Sequence, residues 1–266
     1  MRLLLIRPGA IGDFIVSLPA LRSFEADILE VWCAEANVPL AGFAQQARSL
    51  GSTGLDLLGL PGVDPPPELA GRLQSFDRVV SWYGANRPDF RQALRKIHPS
   101  VTFFPALPGG PDHAVDFYLR QVGRPAGAIP RIAADRAPAR GTVVIHPFAS
   151  SVAKRWPFSR FRPLAELLPW PVEWCAGPEE PLEEAVRFTC IGQLARWLSG
   201  AKLYVGNDSG IAHLAAAVGV PVAVFFGPTD PAVWAPRGPS VTVLRQMETL
   251  SAEAAADAIL AVPALT

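Results

Sequence analysis

Three short polar segments carry side chains that can do chemistry, and each directly follows a predicted buried strand. The first is RPGAIGD at residues 7–13. Asp13 stands where a helix is expected to begin, so the helix dipole favours its ionised carboxylate. Open α/β sheets place ligands at this end of their strands. Asp13 is therefore predicted to be a base that faces a cleft, and a simple helix cap is the alternative.

The second segment, HPFASSVAKRWP at residues 146–157, places Ser150, Ser151 and Lys154 in one small polar loop. Two hydroxyls and an ammonium group suit phosphate oxygens, so the loop is predicted to hold a phosphate or diphosphate. The spacing is not that of a Walker loop, which argues against ATP hydrolysis of that kind. The alternative is a solvated basic turn.

The third segment, VGNDSGIAHLAAA at residues 205–217, joins a strand to a helix of small residues that lets a ligand approach the backbone. Asp208 can accept hydrogen bonds from sugar hydroxyls, and His213 can donate one to a phosphate or a ribose. A buried core histidine is the alternative for His213. Farther on, Thr229 and Asp230 either line the same cleft or close a turn.

Several classes of function are excluded or disfavoured by composition. The 24 basic and 24 acidic residues cancel, which argues against binding bare DNA or RNA as the main activity. The three widely spaced cysteines fit no disulfide framework and favour a reducing, cytosolic compartment. No Asp-x-Asp pair and no metal-ligand spacing occurs, so protein cations must neutralise a bound diphosphate. No GxSxG elbow supports a hydrolase.

Short apolar runs alternate with helical patterns, which is typical of parallel sheets in the α/β class. The predicted strands are 2–6, 28–33, 77–82, 101–104, 142–146, 172–176, 202–205, 222–226 and 241–244. The predicted helices are 14–24, 38–48, 67–74, 87–97, 112–122, 161–168, 179–188, 194–199, 211–218 and 251–260. The proline-rich stretch 123–141 is predicted to be a linker or a crossover between the two units. We therefore predict two Rossmann-like domains, 1–140 and 141–266, that face one cleft.

Taken in order, the three segments resemble the ADP-heptose:lipopolysaccharide heptosyltransferases of glycosyltransferase family 9. The resemblance implies a two-domain GT-B fold and an inverting, metal-independent transfer from an ADP-sugar to a lipopolysaccharide or other surface-glycan acceptor. It assigns the general base to Asp13 and the donor phosphate contacts to Ser150 and Lys154. Asp208 would hold donor hydroxyls. The remaining donor contacts it implies are the amides of Ser209 and Gly210, the side chain of His213 and, less securely, Glu179 on the ribose.

The sequence departs from the family near its end, where Leu244 leads through Arg245-Gln246-Met247 to the last helix without the cysteine-rich stretch common there. Acceptor and sugar therefore do not follow from the family name. Two alternatives stay open: a nucleotide-sugar epimerase or hydrolase on the same scaffold, and a non-catalytic module that binds a nucleotide sugar.

A basic stripe is predicted on the helix over residues 87–97 and just beyond it. Arg87, Arg91, Arg95 and His98 are spaced four, four and three residues apart, opposite apolar positions. We hypothesise that the stripe contacts an anionic lipid or a phosphorylated glycolipid at the inner membrane. The alternative is an ordinary solvated helix face.

Overall fold

The computed structural model describes residues 1–133 and 135–262. Its first half forms a parallel five-stranded sheet in the order β3-β2-β1-β4-β5. The strands are β1 (Arg2–Arg7), β2 (Ile28–Cys33), β3 (Gln46–Ser49), β4 (Arg78–Ser81) and β5 (Val101–Phe103). Residues 3–6 of β1 are fully buried, as expected for a central strand covered by helices on both faces.

The second half repeats this architecture with a parallel sheet in the order β10-β9-β8-β6-β7. The strands are β6 (Val143–His146), β7 (Val172–Trp174), β8 (Leu203–Asn207), β9 (Val222–Phe225) and β10 (Val241–Leu244). In each sheet the order of strand addition reverses beside the first strand of that half, between β1 and β4 and between β6 and β8. Doubly wound sheets bind ligands at such a switch point. The predicted α/β class with two Rossmann-like units is confirmed.

Helices connect the strands of both sheets. They are α1 (Ile11–Leu21), α2 (Pro67–Gln74), α3 (Pro88–Ile97), α4 (Ala114–Gln121), α5 (Phe158–Leu167), α6 (Ile191–Leu198), α7 (Gly210–Ala217), α8 (Pro231–Trp234) and α9 (Ala252–Leu260). Within the described residues, none of these helices is long and apolar enough to cross a membrane.

The helix predicted over residues 38–48 is wrong. The chain forms a 3-10 helix at Glu35–Leu40 and then strand β3, which pairs with β2 at the edge of the sheet. Pro39 lies inside the 3-10 helix and cannot donate the hydrogen bond that an α-helix requires. The side chain of Arg48 bonds to Glu30 of β2 at 2.7 Å, so contacts across the sheet outweigh the local helical pattern.

The helix predicted over residues 179–188 is also wrong, and this segment is a series of turns. Val186 pairs with Cys175 as an isolated parallel bridge that extends β7. The guanidinium of Arg187 donates hydrogen bonds to the carbonyl oxygens of Glu180 and Leu182. In a helix these carbonyls would accept bonds from backbone amides. The bridge and the arginine together hold the turn after β7 against the sheet.

The two halves meet where the N-termini of α1 and α7 touch, and two glycines make this contact possible. A Cβ atom on Gly210 would lie 2.9 Å from Cβ of Ile11 and 3.0 Å from the amide nitrogen of Gly12. A Cβ atom on Gly12 would lie 3.4 Å from Cα of Gly210. A side chain at position 210 would force the helices apart. The contact brings both polar strand ends to one cleft.

Candidate functional site

A cavity of about 360 Å³ lies in this cleft and is lined from both halves of the chain. The first half supplies Ala10, Gly12, Asp13 and Leu107. The second half supplies Ser150, Lys154, Asp208, Ser209, Gly210, His213, Thr229 and Trp234. Seven residues that the sequence analysis selected, from three separate segments, therefore surround one space.

Asp13 lies half-buried in the first turn of α1. Its position is compatible with both predictions, a helix cap and a base that faces a cleft. Its Oδ2 accepts a hydrogen bond of 3.2 Å from the amide of Ala10, as a cap residue would. The same side chain lines the cavity. Across the part of the chain that the structure describes, its carboxylate takes part in no ion pair, so it keeps lone pairs for another donor.

Asp208 on the opposite wall is buried and paired. It is 6% exposed, and its Oδ2 accepts bonds from Nζ of Lys154 at 2.7 Å and from Oγ1 of Thr229 at 2.5 Å. A buried carboxylate with a cation and a hydroxyl is well satisfied. Thr229, which the sequence left open, therefore belongs to the cavity wall. Asp230 closes the turn by capping α8 through the amide of Ala232.

Asn207 explains how the polar loop after β6 reaches Asp208. Its Oδ1 accepts a bond of 2.8 Å from the amide of Trp156, and its Nδ2 donates one of 2.8 Å to the carbonyl of Pro147. Both ends of the loop are thereby fixed to the end of β8. Ser150 and Lys154 lie between these two anchors and are held over the cavity.

The N-terminus of α7 opens into the cavity. Ser209 is its cap residue in extended conformation, and the first helix amides have no partner within the helix. The Oγ atom of Ser209 is buried and has no hydrogen-bond partner among the described residues. Free amides at a helix N-terminus bind anions. The wall thus combines a cation with an anion-binding helix end.

His213 is buried yet also lines the cavity, so neither interpretation of the sequence excludes the other. Burial lowers its pKa to about 4, although the nearby carboxylate of Asp208 acts in the opposite direction. The imidazole is neutral at pH 7 and keeps one N–H group for donation. It contributes no positive charge to the site.

Two predicted residues lie outside the lining of this cavity. Ser151 is exposed beside the loop, and its carbonyl accepts a bond from the amide of Lys154. Glu179 is exposed in the turn after β7. The next residue, Glu180, points inward instead: its Oε2 accepts bonds from the amide of Gly177 at 2.5 Å and from Nε2 of His146 at 3.0 Å. Burial opposes its ionisation, but these two bonds lower the pKa of Glu180.

Glu180 lines a second cavity of about 300 Å³ that adjoins the first. Ile11 and Ile211 form part of its wall, and their neighbours Gly12 and Gly210 line the first cavity. The rest of its lining is mostly apolar and comprises Ala36, His146, Cys175, Ala176, Gly177, Pro178, Phe188, Thr189, Ile191 and Leu194. Sequence reasoning missed this space, and the adjacent pair of glutamates in AGPEE was its one signal.

The basic stripe differs from its prediction in two members. His98 is buried, and its Nε2 bonds to the carbonyl of Phe76 at 2.9 Å, so it leaves the stripe. Arg87 turns toward Tyr83 and donates to its hydroxyl. Arg91 and Arg95 remain on the surface face and, with Lys96, line a groove.

No group of three or more His, Cys, Asp or Glu side chains suited to a metal ion occurs in residues 1–133 and 135–262. All three cysteines are free. In the described lining of the first cavity, Lys154 is the cationic side chain, and the N-terminus of α7 adds the partial positive charge of its dipole.

Comparison with known proteins identifies relatives of the chain. The sequence model of glycosyltransferase family 9 (heptosyltransferase) matches residues 128–260, which is half of the chain. Lipopolysaccharide heptosyltransferase 1 of Pseudomonas aeruginosa is 35% identical over 30% of this chain and 27% of its own. Lipooligosaccharide heptosyltransferase 2 of Haemophilus influenzae is 29% identical over 36% of this chain and 34% of its own. These matches span about a third or less of either relative.

Two solved Escherichia coli structures match nearly the whole chain. ADP-heptose lps heptosyltransferase II gives a TM-score of 0.73 at 17% identity, covering 98% of both chains. Heptosyltransferase WaaC with ADP gives 0.70 at 17% identity, covering 98% of this chain and 99% of its own. At this identity the matches show the fold, and they confirm the predicted GT-B arrangement.

Proposed function

Because the chain belongs to glycosyltransferase family 9, we propose that it transfers a sugar from a nucleotide diphosphate to an acceptor hydroxyl, with inversion and without a metal ion. Heptose and ADP are the proposed sugar and nucleotide, and the proposed acceptor is lipopolysaccharide or another bacterial surface glycan. One observation carries the proposal. A carboxylate from the first half, which forms no ion pair among the described residues, lines the same cavity as an ion-paired lysine from the second half.

The wall from the second half suits the donor. The first amides of α7 and the ammonium of Lys154 provide positive charge for a diphosphate. As the bond to the sugar breaks, negative charge grows on the departing diphosphate, and Lys154 offsets it. Asp208 fixes that lysine through Oδ2, which leaves Oδ1 to accept a bond from a donor hydroxyl.

The wall from the first half suits the acceptor. An acceptor hydroxyl beside Asp13 gives its proton to the carboxylate while its oxygen forms the bond to C1 of the sugar. The C1–oxygen bond to the diphosphate breaks, and its electron pair leaves with the phosphate oxygen. The proposed base comes from the first half of the chain, and the proposed phosphate contacts come from the second half. This arrangement supports attack from the face opposite the leaving group, which inverts the configuration at C1.

The second cavity suits the nucleoside of the donor. The carboxylate of Glu180 is held in place by His146. This carboxylate can accept hydrogen bonds from ribose hydroxyls. The apolar side chains around it suit a base. Because the two cavities share the Ile11–Gly12 and Gly210–Ile211 walls, one nucleotide sugar can occupy both.

A thermal-shift titration with ADP, GDP, UDP and CMP, without added metal, tests the donor site. A ligand at about 100 times its dissociation constant stabilises the fold by roughly 2.7 kcal/mol. We expect a shift with ADP that weakens in Lys154→Ala. A preference for UDP or GDP would contradict the ADP-linked donor. No shift with any nucleotide would contradict a nucleotide-linked donor altogether.

Product analysis separates transfer from other reactions on this scaffold. Incubation with the ADP-sugar alone should leave the donor intact, and addition of a lipopolysaccharide precursor should release ADP together with a glycosylated product. Release of free sugar, or an altered sugar, from donor alone would favour a hydrolase or an epimerase.

We also propose that α3 contacts anionic lipid, with Lys96 in place of His98. Arg91 and Arg95 stack on the ring of Phe103, which holds their charges near one surface. Sedimentation with phosphatidylglycerol vesicles tests this. The double change Arg91→Gln and Arg95→Gln should weaken binding, whereas Arg72→Gln and Arg78→Gln, outside α3, should leave it unchanged. Equal binding by all variants would refute the contact.

A further inference from the structure

Arg7, the last residue of β1, is a buried charge that the proposed reaction does not use. It is 1% exposed, and it forms no ion pair with any residue in the described part of the chain. Glu30 and Asp208, which are similarly buried, each have a cationic partner. A buried guanidinium without a carboxylate is unfavourable unless its N–H groups are well placed, so its contacts indicate its purpose.

The guanidinium holds both ends of the loop that presents Asp13. Nη1 donates to the carbonyl of Pro8, and Nη2 donates to the carbonyl of Asp13 at 2.7 Å. Between them Gly9 adopts a φ of +115°, where a Cβ atom would lie 3.3 Å from both Nη1 of Arg7 and Oδ2 of Asp13. Nη1 of Arg7 and Oδ2 of Asp13 are therefore separated by at most twice 3.3 Å.

The same group reaches a second loop through Tyr118 of α4. Nη2 donates to the Tyr118 hydroxyl at 2.7 Å, and that hydroxyl donates to the carbonyl of Ala106 at 2.5 Å. The guanidinium carbon also lies 4.7 Å from the centre of the Tyr118 ring. The next residue, Leu107, is 59% exposed and lines the first cavity. Burial raises the pKa of Tyr118 to about 12, so its hydroxyl stays protonated and can donate.

We propose that Arg7 is a positioning residue that fixes the acceptor wall of the cavity. It holds the Pro8–Asp13 loop directly and the Ala106–Leu107 loop through Tyr118, so the base and the apolar lip beside it keep one geometry. The inference rests on the proposed function for the role of Asp13. A further bond of 3.0 Å, from Nε to Oγ of Ser17 in α1, contacts neither loop.

Steady-state transfer kinetics, together with ADP affinity, tests the proposal. In Arg7→Gln, kcat should fall about 100-fold, since a displacement of about 1 Å has that effect, while ADP affinity stays unchanged because the donor wall is intact. Arg7→Lys should restore part of kcat, because an ammonium keeps the charge but cannot reach all four acceptors. A wild-type kcat in Arg7→Gln, or equal losses of kcat and ADP affinity, would overturn the proposal.

Two milder variants keep the test decisive if Arg7→Gln fails to fold. Tyr118→Phe removes the link to Ala106 and retains the ring, so kcat should fall by less than in Arg7→Gln. Ser17→Ala is the matched control, because it removes one buried bond to the same guanidinium and leaves both loops held. If Ser17→Ala lowers kcat as much as Tyr118→Phe does, a positioning role is refuted.

Amide hydrogen exchange makes this inference separable from the proposed function. Arg7→Gln should speed exchange at the hydrogen-bonded amides of Ala10, Phe14 and Phe104, which lie in or directly beside the two loops. Tyr118→Phe should speed exchange at Phe104 alone, and neither variant should do so at 208–213. If the wild type transfers no sugar, the proposed function fails while these exchange patterns still decide whether Arg7 holds the two loops. Unchanged exchange in a folded Arg7→Gln protein would refute the inference.

Discussion

The two walls of the first cavity each present one aspartate, and their surroundings differ. Asp208 is buried and committed to Lys154 and Thr229. Asp13 is half-buried and accepts one weak bond from the amide of Ala10. The same side chain is thus a structural anion on one wall and a free acceptor on the other. Roles of paired carboxylates are set by such differences in environment.

The cations are distributed in the same sense. Lys154 faces the cavity and is 28% exposed, so a ligand can reach it. Arg7 lies beneath the wall from the first half, and its N–H groups donate hydrogen bonds to the protein itself. In the proposed reaction, one wall offers positive charge to the donor, and the other wall holds the proposed base in place.

The largest expected effect comes from breaking this asymmetry at Asp13. Asp13→Asn keeps an oxygen for the Ala10 amide but cannot take a proton, so transfer should fall about 10²–10⁴-fold with unchanged ADP affinity and stability. Asp208→Asn should instead lower both stability and ADP affinity. Kinetics, calorimetric titration and urea unfolding distinguish the two variants. Similar behaviour of both would contradict the division of roles.

The ion pair on the donor wall should also contribute to stability. Lys154→Ala leaves the buried Asp208 carboxylate without its cation, which should cost about 1–3 kcal/mol in the free energy of unfolding. Thr229→Val removes a bond from an uncharged hydroxyl to the same oxygen and should cost less, about 1 kcal/mol, because Lys154 still pairs with the carboxylate. Urea titration measures both. An equal or smaller cost for Lys154→Ala would show that the pair contributes little.

The lowered pKa of His213 predicts that the free energy of unfolding depends on pH. Burial lowers the pKa of His213 to about 4, whereas the unfolded chain titrates near 6.5, so the unfolded state binds more protons between these values. Its contribution to stability is complete above pH 6.5 and is lost as the pH falls toward 4, by on the order of 3 kcal/mol.

Unfolding free energies at several pH values in that range check this prediction. His213→Gln should show a flatter profile than the wild type. The pKa of His113 is lowered as well, chiefly by burial, so part of the slope should remain. A wild-type slope in His213→Gln would contradict the assignment.

The smallest effect distinguishes two neighbouring glutamates. Glu180→Gln should weaken ADP binding about tenfold, which corresponds to one charge-assisted hydrogen bond. Glu179→Gln, one residue away and exposed, should bind ADP as the wild type does. Calorimetric titration measures both affinities. A larger loss in Glu179→Gln would restore the ribose contact that the family resemblance implied.

Much of the fold and of the site follows from local sequence. Continuous apolar strands, each followed by a small polar loop, are enough to predict parallel sheets and the chemistry at their ends. Asp13, Lys154 and Asp208 were identified in this way, because their loops come directly after β1, β6 and β8. The two helix predictions are wrong where the segment pairs with a strand outside it. Residues 46–49 pair with β2, and Val186 pairs with Cys175 at the end of β7.

The sequence by itself determined the α/β class, the order of the polar loops and most of the polar residues that line the first cavity. These features depend on the spacing of apolar residues along the chain and on the residues that form turns. Only the tertiary structure decided that Glu180 rather than Glu179 faces a cavity, that Asp208 rather than Asp13 pairs with Lys154, and that Arg7 reaches two loops. Those outcomes depend on contacts between residues as far apart as Arg7 and Tyr118 or Lys154 and Asp208. Local propensity carries no information about such contacts, because packing across the whole chain selects them.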